Sequence, residues 1–268
     1  MTDLSMLPPP SGESAPGPAV AVRGLGRRFG DVVAVAGIDL DVPRGSFFGL
    51  VGPNGAGKTT TLSMVTGLLR PDAGTVVVLG HDVWADPVAA KRLLGILPDG
   101  LRIFDRLTGL QLVTYSGLLR GLSREVATQR AGELIRALGL AEARDKLVVD
   151  YSAGMTKKVT LAAALVHGPK VLVLDEPFEA VDPVSAATIR RILADFAAAG
   201  GTVVLSSHVM DLVERICSHV AVLARGEVLA SGTVDQVRRG ASLEERFVDL
   251  VGGTTEVEGL EWLRTSSD

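Results

Sequence analysis

A chain of 268 residues is long enough for one large domain, or for one domain carrying a subdomain. Its formal net charge of −4, with no basic stripe, argues against nucleic acid as a main partner. Although 47% of the residues are hydrophobic, no run approaches the roughly 18 apolar residues that a membrane span requires. Cys217 is the single cysteine, which excludes an internal disulfide and suits a reducing compartment. With Asp3 near the start and no positively charged leader, a secretory signal is not expected, and the chain reads as cytoplasmic.

Residues 1–17 are rich in Pro, Ser and Gly and are expected to form a disordered tail. Val20–Arg23 and Val32–Val42 alternate and are valine-rich, so they read as strands of a small antiparallel layer. Phe29, between them, is either a core aromatic or a stacking surface for a nucleotide base. Phe47–Val51 then reads as a buried strand feeding the turn Gly52-Pro53-Asn54-Gly55-Ala56-Gly57. Lys58-Thr59-Thr60 opens a helix expected over Thr60–Leu69. This is the pattern G-x-x-x-x-G-K-[ST] in a strand–loop–helix setting. Its glycines let backbone N–H groups turn inward around an anion, and the helix start adds unpaired donors and a positive dipole end. Lys58 is placed to reach the β- and γ-phosphates, and the Thr59 hydroxyl to ligate magnesium. A nucleoside triphosphate is the expected ligand.

Further along, Thr75–Leu79 reads as a strand, Pro87–Leu94 as a helix and Gly95–Leu97 as a strand ended by Pro98-Asp99-Gly100. Two amphipathic helical patterns follow, Thr108–Arg120 and Ser123–Leu138, with a third helix from about Ser152 to Leu165. This stretch reads as a helical subdomain over about residues 100–165. Pro169–Leu174 is the most apolar strand, ending in Asp175-Glu176-Pro177. A helix at Val184–Ala199, a strand at Thr202–Leu205 ending in Ser206-Ser207-His208, and a helix at Met210–Ile216 come next. A hairpin across Arg225-Gly226, two short helices and a polar tail over residues 251–268 close the chain. The alternation predicts an α/β fold with a mostly parallel sheet and its site at the carboxyl ends of the strands.

Paired acids at a strand end, in a chain with a phosphate loop, call for a cation between them and a nucleotide. Asp175 fits the magnesium-facing carboxylate of a Walker B pattern, and Glu176 a general base toward the γ-phosphate. Tyr151-Ser152-Ala153-Gly154-Met155, upstream of Val171-Leu172-Val173-Leu174-Asp175-Glu176, resembles the signature motif of the ATP-binding cassette (ABC) family. The resemblance covers about residues 18–250. It implies a phosphate-loop NTPase core with a small antiparallel layer and an inserted helical subdomain, binding ATP with Mg2+. In that family Ser152 and Gly154 would cap the γ-phosphate of the ATP on a second ABC subunit, and Val181-Asp182-Pro183 would be the D-loop at the dimer interface. His208 matches the switch histidine that contacts the γ-phosphate, and Phe29 the adenine-stacking aromatic, where tyrosine is usual. A separate transmembrane permease is implied, with the chain peripheral to the inner face of the cell membrane and its docking groove near Asp99–Leu119.

The chain departs from the family pattern at three places. The signature reads YSAGM for LSGGQ, and Glu179 stands where the D-loop usually has a small polar residue. Asp99 occupies the position of a glutamine that helps hold magnesium and the attacking water. A carboxylate there can ligate magnesium but cannot donate a hydrogen bond, so slower hydrolysis or a stronger magnesium dependence is expected. The alternative is a turn residue facing solvent. The segments His81–Leu101 and Ser242–Phe247 are similar to exporters. A soluble ABC-type ATPase and a hydrolysis-impaired regulatory cassette are the other readings.

Overall fold

The computed structural model describes residues 17–100 and 103–252. The tails expected over 1–17 and 251–268 lie outside the described residues, apart from Gly17, Val251 and Gly252.

In chain order, β1 (Val20–Phe29) and β2 (Val32–Val42) form a hairpin, and β3 (Phe47–Val51) leads through the glycine-rich loop into α1 (Lys58–Val65). Next come β4 (Ala73–Val78), the two-residue β5 (His81–Asp82), α2 (Pro87–Leu93) and β6 (Leu94–Leu97). The helices α3 (Gly109–Leu119), α4 (Arg124–Ala137) and α5 (Ala153–Leu165) follow, with 3-10 turns at Ala141–Ala143 and Val148–Asp150. Then the chain alternates through β7 (Val171–Leu174), α6 (Pro183–Ala198), β8 (Thr202–Ser207) and α7 (Met210–Ile216). It closes with β9 (His219–Ala224), β10 (Glu227–Thr233), α8 (Val234–Arg238) and α9 (Leu243–Val251).

Two sheets result. One is antiparallel, in the order β2-β1-β4-β5; the other runs β10-β9-β3-β8-β7-β6, parallel except for β10 at its edge. The predicted α/β architecture is therefore present. All four residues of β7 and all six of β8 are buried, as expected for strands covered on both faces. Phe48, Leu50, Val171 and Val173 face the antiparallel layer in one core, while Leu172, Leu174 and Leu205 share the other with Leu112, Ile135 and Leu161 of the three helices. Those helices start where side chains satisfy their free amides: Thr108 in a capping box with Gln111, Ser123 on Val126, and Ser152 on Met155.

Two elements differ most from the expectation, the other expected ones shifting by three residues or fewer at their ends. The first strand continues past Arg23 to Phe29, because irregular pairing with β2 after Val22 lets it absorb its glycines. The phosphate-loop helix stops at Val65, four residues early. The Thr66 hydroxyl donates back to the Leu62 carbonyl at 2.8 Å, and Gly67 leaves the helix at φ 69°.

The sheet order matters most for function. β3, β8, β7 and β6 are consecutive neighbours, and their register sets Val51 opposite Ser207, Leu205 opposite Leu174, and Leu174 opposite Leu97. Four strand ends therefore present the glycine-rich loop, His208, Asp175-Glu176 and Asp99 on one edge.

Candidate functional site

The loop after β3 is built for a small anion. Its closing residue, Gly57, has φ 101°, and a Cβ there would sit 2.5 Å from the Ala34 carbonyl oxygen, so only glycine fits. The loop is tied down by the Ala56 carbonyl, which accepts from the Gly226 N–H at 3.0 Å. Buried Lys58 arches over it, its Nζ donating to the carbonyls of Gly52 at 2.8 Å and Pro53 at 3.2 Å.

Lys58 also reaches the acid pair. Its Nζ lies 3.6 Å from Glu176 Oε1, while His208 Nδ1 lies 3.1 Å from Glu176 Oε2. Glu176 has φ 44°, a left-handed conformation that costs a side-chain-bearing residue roughly 1–3 kcal/mol and therefore needs support from its surroundings. That support is visible. Its N–H donates to Ser206 Oγ at 2.9 Å, and its carbonyl accepts from Glu179 N–H at 3.2 Å and Lys157 Nζ at 2.9 Å. The fully buried Ser206 hydroxyl in turn donates to Asp175 Oδ1, fixing the buried carboxylate.

Lys58, Glu176 and His208 open onto a cavity of about 470 Å³ whose lining also includes Phe29, Val33, Thr59, Asp99 and Glu179, while buried Asp175 lies behind it and does not line it. Phe29 is half exposed at the end of β1, with the Arg27 guanidinium 5.0 Å from its ring centroid, so it is a surface platform beside the loop and not a core aromatic. Asn54, Gly55, Ala56, Gly57 and Thr60 line the same cavity. Asp99 is at the rim, its Oδ1 3.3 Å from Lys157 Nζ. Sequence reasoning missed Val32, Val33 and Ala34 as lining residues, and it missed Lys157 and Ser206 as supports. Nothing local in the chain marks them; only the tertiary packing of strands and of α5 brings them in.

Ser152, Gly154 and Asp182 do not line this cavity; Gly154 and Asp182 meet elsewhere, with Ser152 capping the helix that Gly154 begins. A Cβ on Gly154 would lie 3.0 Å from Asp182 Oδ2, so the starts of α5 and α6 touch. Asp182 caps α6, accepting from the N–H groups of Val184 and Ser185 at 3.0 and 2.9 Å. The Ser185 hydroxyl and amide hold its carboxyl below the usual carboxylate range. Cys217 is partly buried against the core, and its thiol is pushed up to about 12 by burial.

For a divalent cation, the donors present are oxygens: the Thr59 hydroxyl and the buried Asp175 carboxylate, with Asp99 at the rim. Among the described residues no three His, Cys, Asp or Glu side chains converge as a closed metal cage. That donor set suits magnesium, which takes one or two carboxylates and leaves its other positions to phosphates and water.

Residues 35–179, over half of the chain, match the family described as ABC transporter. The chain belongs to the ABC transporter family. It is 39% identical over 220 residues to the daunorubicin/doxorubicin resistance ATP-binding protein DrrA of Streptomyces peucetius, covering 82% of this chain and 67% of that one. The linearmycin resistance ATP-binding protein LnrL of Bacillus subtilis is 35% identical, over 77% of this chain and 67% of its own length. Among solved structures, an ATP-binding subunit of an ABC transporter superposes with a TM-score of 0.81 at 28% identity, over 87% of this chain and 99% of that one. As a member of this family the chain is an ATP-binding and ATP-hydrolysing transporter subunit. Among the described residues no helix is long and apolar enough to cross a membrane.

Proposed function

We propose that this ABC subunit powers a separate membrane permease that exports its cargo, and that it works as one of two cassettes closing on ATP. The observation that carries the reading is the placing of the Glu176 carboxylate between Lys58 and His208, at the mouth of the phosphate loop. The residue roles follow from that placing.

The N–H groups of Gly55–Thr60 and the start of α1 hold the phosphates, Lys58 swings from its loop carbonyls onto them, and Phe29 stacks the base. Glu176 accepts a proton from the attacking water as general base, and His208, in contact with the same carboxylate, keeps it aimed. Thr59 and Asp175 would hold magnesium, with Asp99 contributing from the rim. The ion, when bound, offsets negative charge on the phosphates during transfer. Ser152, which is exposed, and Gly154, which is buried, cap the ATP of the second cassette from the start of α5, with Asp182 shaping that edge. Residues 18–250 make up this ATPase domain, and about 100–165 its helical subdomain.

A groove of about 730 Å³ on the helical side, lined by Phe104, Leu107, Leu110, Tyr115 and Leu118, supports permease docking there. It lies in the segment expected to receive the permease, and Phe104 and Tyr115 pack edge to face at 5.6 Å in its wall. Docking there would hold the chain at the cytoplasmic face of the membrane through its partner. Export as the direction draws on the two resistance proteins it is similar to.

Inside-out membrane vesicles holding the chain with its permease test this reading. Mg-ATP should drive accumulation of an anthracycline probe inside them, and Glu176→Gln should abolish it. Accumulation that is independent of ATP, or ATP-driven loss from preloaded vesicles, would contradict export.

A further inference from the structure

Lys157 has no part in the roles above, yet its ammonium is where three elements meet. It sits on α5, donates to the Glu176 carbonyl at 2.9 Å after β7, and lies 3.3 Å from Asp99 Oδ1 after β6. Its side chain is only 18% exposed, so the lysine is held in place, although Asp99 at 44% exposed still meets solvent. The carbonyl it grips belongs to the left-handed residue at φ 44° and also accepts from the Glu179 N–H at 3.2 Å.

We infer that Lys157 is a positioning residue for ATP hydrolysis, fixing the backbone turn that aims the Glu176 carboxylate at Lys58 and His208. The inference rests on the reading of Glu176 as the general base. Chemistry favours lysine for this task. An ammonium carries three rotatable donors on a compact charge, so one group serves a carbonyl and a carboxylate at once. Its charge also offsets Asp99, at a rim that already carries Glu176 and Glu179. Without Lys157, the Glu176 carbonyl keeps one donor instead of two, and the turn is free to relax toward an ordinary conformation. Asp99 then loses the ammonium that offsets its charge at the rim of the phosphate cavity. A merely structural tie between α5 and the sheet would instead show as lost stability and lost nucleotide affinity.

The experiment compares full-length wild type with Lys157→Met, Lys157→Arg and Glu176→Gln. It measures kcat and KM for Mg-ATP, affinity for a fluorescent ATP analogue without magnesium, melting, and amide exchange across residues 175–179. Lys157→Met should lower kcat about 10- to 100-fold, as misplaced catalytic groups do, with KM and analogue affinity within about twofold. The Glu179 amide should exchange faster, and Lys157→Arg should recover most of the turnover. Wild-type kcat in Lys157→Met, or a loss matched by equal losses of affinity or folded protein, would overturn the inference. If Glu176→Gln turns over like wild type, the general-base reading falls and this inference with it. If Glu176→Gln is inactive and Lys157→Met is not impaired, this inference alone falls.

Discussion

His208 Nδ1 lies 3.1 Å from Glu176 Oε2, so the residue that follows β8 grips the carboxylate that follows β7. The contact sets the imidazole against the carboxylate, and His208 lines the same cavity as Lys58 and Phe29. His208→Ala should therefore leave ATP binding near wild type while lowering kcat about 10- to 100-fold, the scale of one lost orienting contact. Steady-state turnover beside analogue binding checks this. A parallel fall in affinity would give His208 a binding role instead.

Phe29 should act on binding and not on chemistry. Its exposed ring lines the cavity away from the acid pair, and stacking on a base is worth about 1–3 kcal/mol. Phe29→Ala is expected to raise KM for ATP about fivefold or more with kcat unchanged, and Phe29→Tyr to leave both unchanged. Competition between ATP and GTP in the alanine variant gives a second check, since the preference for base should weaken.

Ser206→Ala should destabilise the protein as well as slow it. The hydroxyl is fully buried and serves both the Asp175 carboxylate and the Glu176 N–H. Removing it strips a buried carboxylate of a donor, at a cost of about 1–3 kcal/mol. Urea unfolding with an unchanged m-value would show the loss directly.

Stability should fall on mild acidification through His167. Burial, with Arg120 nearby, lowers its imidazole from 6.5 to about 4, and its Nε2 lies 3.1 Å from the Leu94 carbonyl. The folded state then resists a proton that the unfolded chain accepts. Stability is full above about pH 6.5 and declines as pH falls toward 4, by less than about 1.4 kcal/mol per unit because the ring is partly solvated. Denaturation midpoints across that range should show a slope that His167→Gln removes.

The parts of the site legible in the sequence are those whose chemistry is contiguous. Gly52–Thr60 announces its loop by glycine spacing, and Asp175-Glu176 stands out as two acids ending an apolar run. Helix starts were readable as well, because Thr108, Ser123 and Ser152 cap their own helices. What stayed hidden depends on partners far along the chain. Lys157 reaches Glu176 across 19 residues and Asp99 across 58, and Ser206 reaches Asp175 across 31. No local pattern encodes such contacts. The early stop of α1 shows the same limit on a smaller scale: the apolar pattern continues to Leu69, but the Thr66 hydroxyl and Gly67 end the helix first. Glu179 was legible only as an odd residue for its place; the structure adds that it lines the phosphate cavity.

The account stands on Glu176 as the base that activates water for ATP hydrolysis. The most direct measurement is Mg-ATP turnover of the purified chain beside Glu176→Gln, with each followed by size exclusion after incubation with ATP. The account predicts at least about a 100-fold loss of turnover, the scale of general-base catalysis, and an ATP-bound dimer that persists only in the variant. A Glu176→Gln chain that hydrolyses ATP at the wild-type rate and stays monomeric would contradict it.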